Sequence, residues 1–308
     1  MPPEQERLAK IKDNLKRRAQ IYGLARDFFR GQGFLEVETP VRVPAIAPEI
    51  NIVPEESSGW YLITSPELHM KRLIAAGYSK IFQFSHCFRK GERGRLHNPE
   101  FTLLEWYRAN AGFENVISDT EQLVSTLAKN LGTGTSINYQ GHNIDISLPW
   151  PRLSVRDAFM STAGWDPVAH YEAERFDHDM ATRVLPGLET GRPTVLTEYP
   201  AAAASLARLK PGDPAIAERS EVFIGGLELA NAYSELTDRE EQMKRFAAEI
   251  QQIEREQGRN MKMPESFIEA VGYMPECGGI ALGMERLVML LCDAGSIDEV
   301  TAFTAANI

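Results

Sequence analysis

Cysteine is scarce: Cys87, Cys277 and Cys292 stand far apart in 308 residues, with no CxxC and no paired histidines nearby. That excludes a disulfide framework and a thiolate zinc site, and suits a reducing cytoplasm. Positive charge is in deficit, with 33 Lys+Arg against 43 Asp+Glu and a formal charge of −10. Tight nucleic-acid binders neutralise phosphates with surplus Lys and Arg, so a dedicated tRNA or DNA binder is disfavoured. Long apolar runs are missing. Leu287–Cys292 is only about six residues, against about 20 needed to span a bilayer. The basic start (Lys10, Lys12, Lys16, Arg17, Arg18) precedes no apolar segment of a secretory signal. A cytoplasmic protein with no membrane association is expected. The usual nucleotide loops are absent as well. No GxGxxG follows a strand, and GGIALGME (278–285) has Met284-Glu285 where a phosphate loop requires Lys-Ser/Thr.

What is present reads as hairpins surrounded by helices. Residues 4–32 carry Leu8, Ile11, Leu15, Tyr22, Ala25 and Phe29 at helical spacing, ended by Gly31 and Gly33. FLEVETPVRVP (34–44) is extended, and its prolines keep it from a sheet centre. Residues 65–77 form a helix begun by Ser65-Pro66 and stopped at Gly77, and 80–109 form a hairpin around a polar loop. A helix over 114–131 and a Gly/Ser/Thr-rich loop over 132–143 follow. Ser154 with Asp157 opens a short helix, and 160–195 offers few signals. A capping box at Thr237/Glu240 starts a helix reaching about Gly258, with Met243, Phe246, Ala247, Ile250 and Ile253 inward. A second box stands at Ser296/Glu299. This pattern predicts an α+β fold on an antiparallel sheet, residues 1–308 forming a single domain.

The sharpest chemical signal is SEVFIGGLELANAYSEL (220–236), where Glu221, Glu228 and Glu235 recur every seven residues. On one flat strand that odd spacing sends successive members to opposite faces. Gly225-Gly226 is a two-residue turn signal. Folding there pairs Ile224 with Leu227, Phe223 with Glu228 and Glu221 with Ala230, which brings Glu221 and Glu228 to one face as diagonal neighbours. Two such carboxylates repel unless a cation lies between them, and Mg²⁺ shared with phosphate oxygens is the natural occupant. Glu235 joins that face only if the strand kinks or ends near Asn231–Ser234. Spacing alone does not separate this reading from a solvated acidic face. Alternation also places Phe101, Leu103, Glu105 and Tyr107 on one face, fit either for an ammonium group or for a hydrogen-bonded core pair. Arg286, near the start of an apolar helix, faces the unfavourable end of the dipole unless an anion is held there.

In order, FLEVETPV (34–41), TSPELHMKRL (64–73), FRKGERGRLHNPEFTLLEWY (88–107), FIGGLELANAYSEL (223–236) and GGIALGMERLVM (278–289) resemble the catalytic domain of class II aminoacyl-tRNA synthetases of the lysyl type. Only about 33 residues precede the first motif, too few for the family's anticodon-reading OB-fold. With EWYR and IALG, the chain is similar to the elongation factor P β-lysine ligases, stand-alone relatives of those synthetases. The resemblance implies a homodimer formed through 34–41 and a two-step ligase reaction using ATP and Mg²⁺. The amino acid's carboxylate becomes an acyl-adenylate, then a lysine ε-amine takes the acyl group. Arg89 and Arg286 would be catalytic, on the α-phosphate with the carboxylate and on the γ-phosphate respectively. His97 and Asn98 would hold adenine-side groups of ATP and Phe101 would stack on adenine, with Lys90, Gly91, Glu92 and Leu229 completing the set and Gly283 admitting the nucleotide. Glu221 and Glu228 would bind Mg²⁺. Glu67, Glu105, Tyr107 and Glu235 would take the two ammonium groups, Asn231 would lie near the carboxylate, and Ser65 and Pro66 would border the same end.

Two positions depart from the lysyl pattern. Arg-x-Glu is replaced by Arg89-Lys90-Gly91-Glu92, and Ala281 stands where lysyl-tRNA synthetases carry glycine. One methyl there would crowd an α-amino group yet admit a β-amino group, worth ~1–3 kcal/mol. The expected substrate is therefore (R)-β-lysine, and the expected acceptor is a lysine of elongation factor P. An alternative is a paralogue that activates lysine or another amino acid for a different, non-tRNA acceptor.

Overall fold

The computed structural model describes residues 2–308. Its centre is a nine-stranded sheet built, in chain order, from β1 (Leu35–Glu36), β2 (Lys80–Phe88), β3 (Glu100–Ala109), β4 (Arg152–Ser154), β5 (Thr194–Pro200), β6 (Leu209–Lys210), β7 (Asp213–Ile224), β8 (Leu227–Ser234) and β9 (Cys277–Gly283). Across the sheet the order is β1-β2-β3-β9-β8-β7-β5-β4, with β6 beside β7. Only the outermost pairs, β1 with β2 and β5 with β4, are parallel. The α+β class and the antiparallel body agree with the sequence pattern, and FLEVETPVRVP does sit at an edge.

One face of the sheet is sealed by three helices, α2 (Lys12–Gly31), α4 (Phe113–Asn130) and the helix Met284–Cys292. Ile21, Ala25 and Phe29 of α2 lie one turn apart and fully buried, with Phe29 stacked on Phe82 at 4.9 Å. The helix Met284–Cys292 buries seven of its nine residues, so it is apolar nearly all round. With its apolar surface spent on that side, the other face of the central strands is free to carry polar groups.

Several local expectations shift. The first helical stretch breaks into α1 (Pro3–Lys10) and α2 at Ile11, whose ψ of 1° leaves the helical region as the side chain turns into the interior. The Gly/Ser/Thr-rich 132–143 is not wholly a loop. Ser136–Tyr139 pairs with His142–Asp145 across a turn with positive φ at Gln140 and Gly141, a hairpin hidden by its composition. Residues 160–195 contain the end of α5 (Val155–Thr162) and α6 (Ala173–Asp179), packed around Phe159, Trp165 and Phe176. The helix α7 (Arg239–Gln257) is capped by Asp238, not Thr237, because the Asp238 carboxylate reaches the N–H groups of both Glu240 and Glu241. Its Met243 is 46% exposed, off the stripe that buries Phe246 and Ile253. Helices α3 (Glu67–Ala75) and α8 (Glu265–Val271) pack together beside the open face, and the apolar helix over 284–292 is α9. No helix among the described residues is long and apolar enough to cross a membrane.

Candidate active site

The open face of β3, β9, β8 and β7 floors a cleft of about 880 Å³. Register, not chain proximity, assembles it. Glu105 of β3 pairs with Ala281 of β9, Ala281 with Asn231 of β8, and Asn231 with Glu221 of β7. One step along, Tyr107, Gly279, Tyr233 and Arg219 form a parallel row. Strand β9 thus presents Gly279, Ala281 and Gly283 to the cleft and buries Ile280 and Leu282 behind it. A Cβ on Gly279 would lie 2.1 Å from Glu235 Oε1 and 2.3 Å from Tyr107 Cε1, so only glycine lets those two side chains close over the strand. A Cβ on Gly283 would meet only Arg286 methylenes at 3.7 Å or more, an ordinary contact.

The β7–β8 hairpin turns at Gly225-Gly226, with φ of 58° and 79°. Ile224 pairs with Leu227 and Phe223 with Glu228 as the turn predicts. A bulge then shifts the register between Val222 and Phe223, so Glu221 faces Asn231 and not Ala230. The extra residue on β8 changes the alternation. Glu228 and Asn231, three apart, both face the cleft, and Tyr233 and Glu235 follow at every second position. The kink that the sevenfold glutamate spacing demands is therefore at Leu229–Ala230, earlier than the expected Asn231–Ser234. Leu229 borders the cleft from a core position, 2% exposed.

At one end of the cleft, acids gather around an internal cation. Ser65 Oγ accepts from the Glu67 N–H (3.0 Å) and donates to Glu105 Oε1 (2.7 Å), while Tyr107 Oη donates to Glu105 Oε2 (3.1 Å). Lys71, 2% exposed, pairs with Glu235 Oε2 at 2.7 Å and Glu67 Oε2 at 3.1 Å. Burial pushes the Glu105 carboxyl up to about 8, with Glu67 adding to it. Burial likewise lifts Glu235 to about 7, against the pull of Lys71, and Tyr107 well above the usual phenol. Lys71 went unread in the sequence, although Glu67 and Lys71 stand at the i, i+4 spacing that pairs charges on a helix. Pro66 does not reach the cleft lining, since it sits at the helix start and its ring is spent on setting φ.

The opposite end is basic. Arg286 Nη1 donates to Glu228 O (2.7 Å) and Glu228 Oε2 (3.3 Å), and Nη2 lies 2.8 Å from His97 Nε2. Burial and Arg286 hold His97 below the ordinary imidazole value, so its neutral ring can accept from that guanidinium. Arg89 lies over the Phe101 ring at 5.0 Å and 3.8 Å from Glu92 Oε1, so the displaced glutamate still reaches the arginine of its motif. Lys90 and Gly91 are not in the lining: Lys90 N–H bonds to Val53 O, and Gly91 turns the chain with φ of 80°. Asn98 borders the cleft, but its amide is committed to Glu100 O and the Ala305 N–H, tying down the C-terminal segment. Glu285, also unread in the sequence, is buried on Arg18 (2.6 Å) and the Thr102 N–H (2.9 Å), which locks α9 to β3.

Between the two ends lie Glu221 and Glu228. Glu221 Oε1 accepts from Arg219 Nη2 (2.6 Å) and Asn231 Nδ2 (3.2 Å), and burial with the nearby Glu228 raises its carboxyl despite Arg219. Among the described residues no three His, Cys, Asp or Glu side chains converge as a self-sufficient metal site. Two carboxylates are what a Mg²⁺ shared with phosphate oxygens takes from a protein.

Over residues 5–307 the chain matches the family described as tRNA synthetases class II (D, K and N). A lysine–tRNA ligase of Dehalococcoides mccartyi is 36% identical over 316 aligned residues, covering 94% of this chain and 63% of that protein. One of Moorella thermoacetica is 36% identical over 313, covering 93% and 64%, and one of Campylobacter jejuni 33% identical over 329, covering 96% and 64%. The chain therefore spans just under two thirds of the length of these curated relatives.

Proposed function

The chain belongs to the class II tRNA synthetases of the D, K and N group, and from that premise we propose that it uses ATP to activate a lysine-type diamino acid as an adenylate. The charge balance of the acidic end carries this reading. Glu67, Glu105 and Glu235 carry three negative charges when ionised and Lys71 returns one, leaving two for the two ammonium groups of a diamine. The carboxylate of such a substrate would point along β9 toward Arg89. Attack of that carboxylate on the α-phosphorus builds negative charge, which Arg89 and Arg286 would offset. Glu221 and Glu228 would hold Mg²⁺, which supplies further charge neutralisation on the phosphates.

The finer reading is that the amino acid is (R)-β-lysine and the acceptor a lysine ε-amine of elongation factor P, in a cytoplasmic homodimer. Ala281 supports the first part, because its methyl stands in the row between Glu105 and Asn231. The formal charge of −10 favours a protein acceptor over tRNA, the acceptor in the names of the relatives.

ATP–pyrophosphate exchange with α-lysine and (R)-β-lysine tests the reading. Strong exchange with the β-isomer is expected, together with a loss of roughly 10²-fold or more in Arg286→Ala. Full exchange in that variant would remove the nucleotide assignment, and equal exchange with both isomers would remove the role of Ala281. Labelled amino acid should then pass to elongation factor P and not to tRNA. Charging of tRNA alone would replace the acceptor.

A further inference from the structure

An amine acceptor carries a proton at neutral pH and must lose it before attacking an acyl carbon, so the cleft needs a base where its two ends meet. Most carboxylates lining the cleft are committed: Glu105 to Ser65 and Tyr107, Glu235 to Lys71, Glu221 to Arg219, Glu228 to Arg286. Glu49 is different. It lines the cleft half-buried, and its side chain has no hydrogen bond or salt bridge among the described residues.

Its position is fixed from both sides. The turn Glu49–Ile52 closes on the Ile52 N–H to Glu49 O bond (3.2 Å). Ile50 N–H donates to Glu249 of α7 (2.7 Å), and Gln257 donates to Ile50 O (2.8 Å). Beyond the turn, Val53 O accepts from the Lys90 N–H next to Arg89 (2.8 Å). The charged groups that act on Glu49 electrostatically belong to both ends of the cleft: Glu67 of α3 at the ammonium end and Arg89 at the phosphate end, together with Glu249, Arg219 and the Tyr233 phenol. Glu49 thus stands at the junction where an acyl–phosphate bond would lie. Burial, Glu67 and Glu249 outweigh the two arginines and bring its carboxyl to about 7, close to the working pH that suits a proton acceptor. Asp177, the other uncommitted acid of the lining, is exposed on α6.

We propose that Glu49 is the general base of the transfer step, taking a proton from the acceptor's ammonium group. The proposal rests on the adenylation reading above. The freed nitrogen lone pair attacks the acyl carbon and the C–N bond forms. The C–O bond to phosphorus-bound oxygen breaks, and its electron pair leaves with AMP. The remaining extra N–H proton goes to the departing phosphate or to water, and Glu49 returns its proton to solvent.

The test follows single-turnover transfer from preformed enzyme-bound adenylate, its formation monitored by pyrophosphate release, to two probe amines. Nα-acetyl-lysine methylamide is an alkylammonium that needs a base, whereas hydroxylamine is unprotonated at neutral pH and needs none. In Glu49→Gln the ratio of the alkylamine rate to the hydroxylamine rate should fall roughly 10²-fold, the usual scale of general-base catalysis. Glu49→Asp, which keeps the carboxylate, should recover part of that ratio. An unchanged ratio, including equal slowing with both amines, overturns the proposal and leaves Glu49 a structural residue. If the unaltered protein forms no adenylate, the adenylation reading falls and takes the proposal with it, and pyrophosphate release distinguishes that outcome.

Discussion

Glu105 is 1% exposed and accepts hydrogen bonds from Ser65 and Tyr107, yet its carboxyl is pushed up to about 8 from an ordinary value of 4.5. Between those values the folded chain holds a proton that the unfolded chain has released. Stability therefore falls as pH rises through the window, by up to about 1.4 kcal/mol per pH unit, and levels off above 8. From pH 6 to 8.5 this one group removes roughly 2–3 kcal/mol. Glu105→Gln preserves shape and stays neutral like the protonated acid, its amide oxygen accepting from one of the two hydroxyls and its amide nitrogen donating to the other. Urea unfolding at both pH values should show the variant losing roughly 2–3 kcal/mol less than the parent across the interval. Groups that titrate identically in both proteins, such as Glu235, cancel in that comparison. A bound ammonium favours the ionised carboxylate, so lysine binding near pH 7 should release a proton from the parent and less from the variant. Calorimetric enthalpies in buffers of different ionisation heat read that release. Parallel stability curves for the two proteins would refute the claim that Glu105 is buried uncharged in the free protein.

Lys71→Met leaves Glu67 and Glu235 buried without their cation and should cost about 3–5 kcal/mol at pH 8, measured by denaturant midpoint. Gly279→Ala drives a methyl into Glu235 and Tyr107. A stability cost of about 1–3 kcal/mol is expected, with loss of lysine binding by titration; an unchanged affinity would show that these side chains do not touch substrate. Ala281→Gly should raise α-lysine exchange relative to (R)-β-lysine by roughly 10–200-fold.

Local physics fixes whatever a few neighbouring residues can decide. Positive φ at Gly225-Gly226 sets the hairpin and alternation puts Phe101, Leu103, Glu105 and Tyr107 on one face; both were legible in the chain, whereas the helix after Ser65 is capped one residue later than its sequence suggests, at Pro66. The order of five motifs was legible as well, and it points to the family. Tertiary structure decided the rest, because β-sheet register joins residues more than a hundred apart in sequence. The row Glu105–Ala281–Asn231–Glu221 exists only once β9 has been inserted between β3 and β8. The bulge at Leu229–Ala230, which places Glu228 and Glu235 on the same face, answers to neighbouring strands and not to its own residues. Lys71 and Glu49 carry no signal of their own in the chain; Glu235 closing over Lys71 and α7 pinning the Glu49 turn beside the cleft are what single them out. Burial changed the chemistry of these side chains, and burial is a property of the assembled fold.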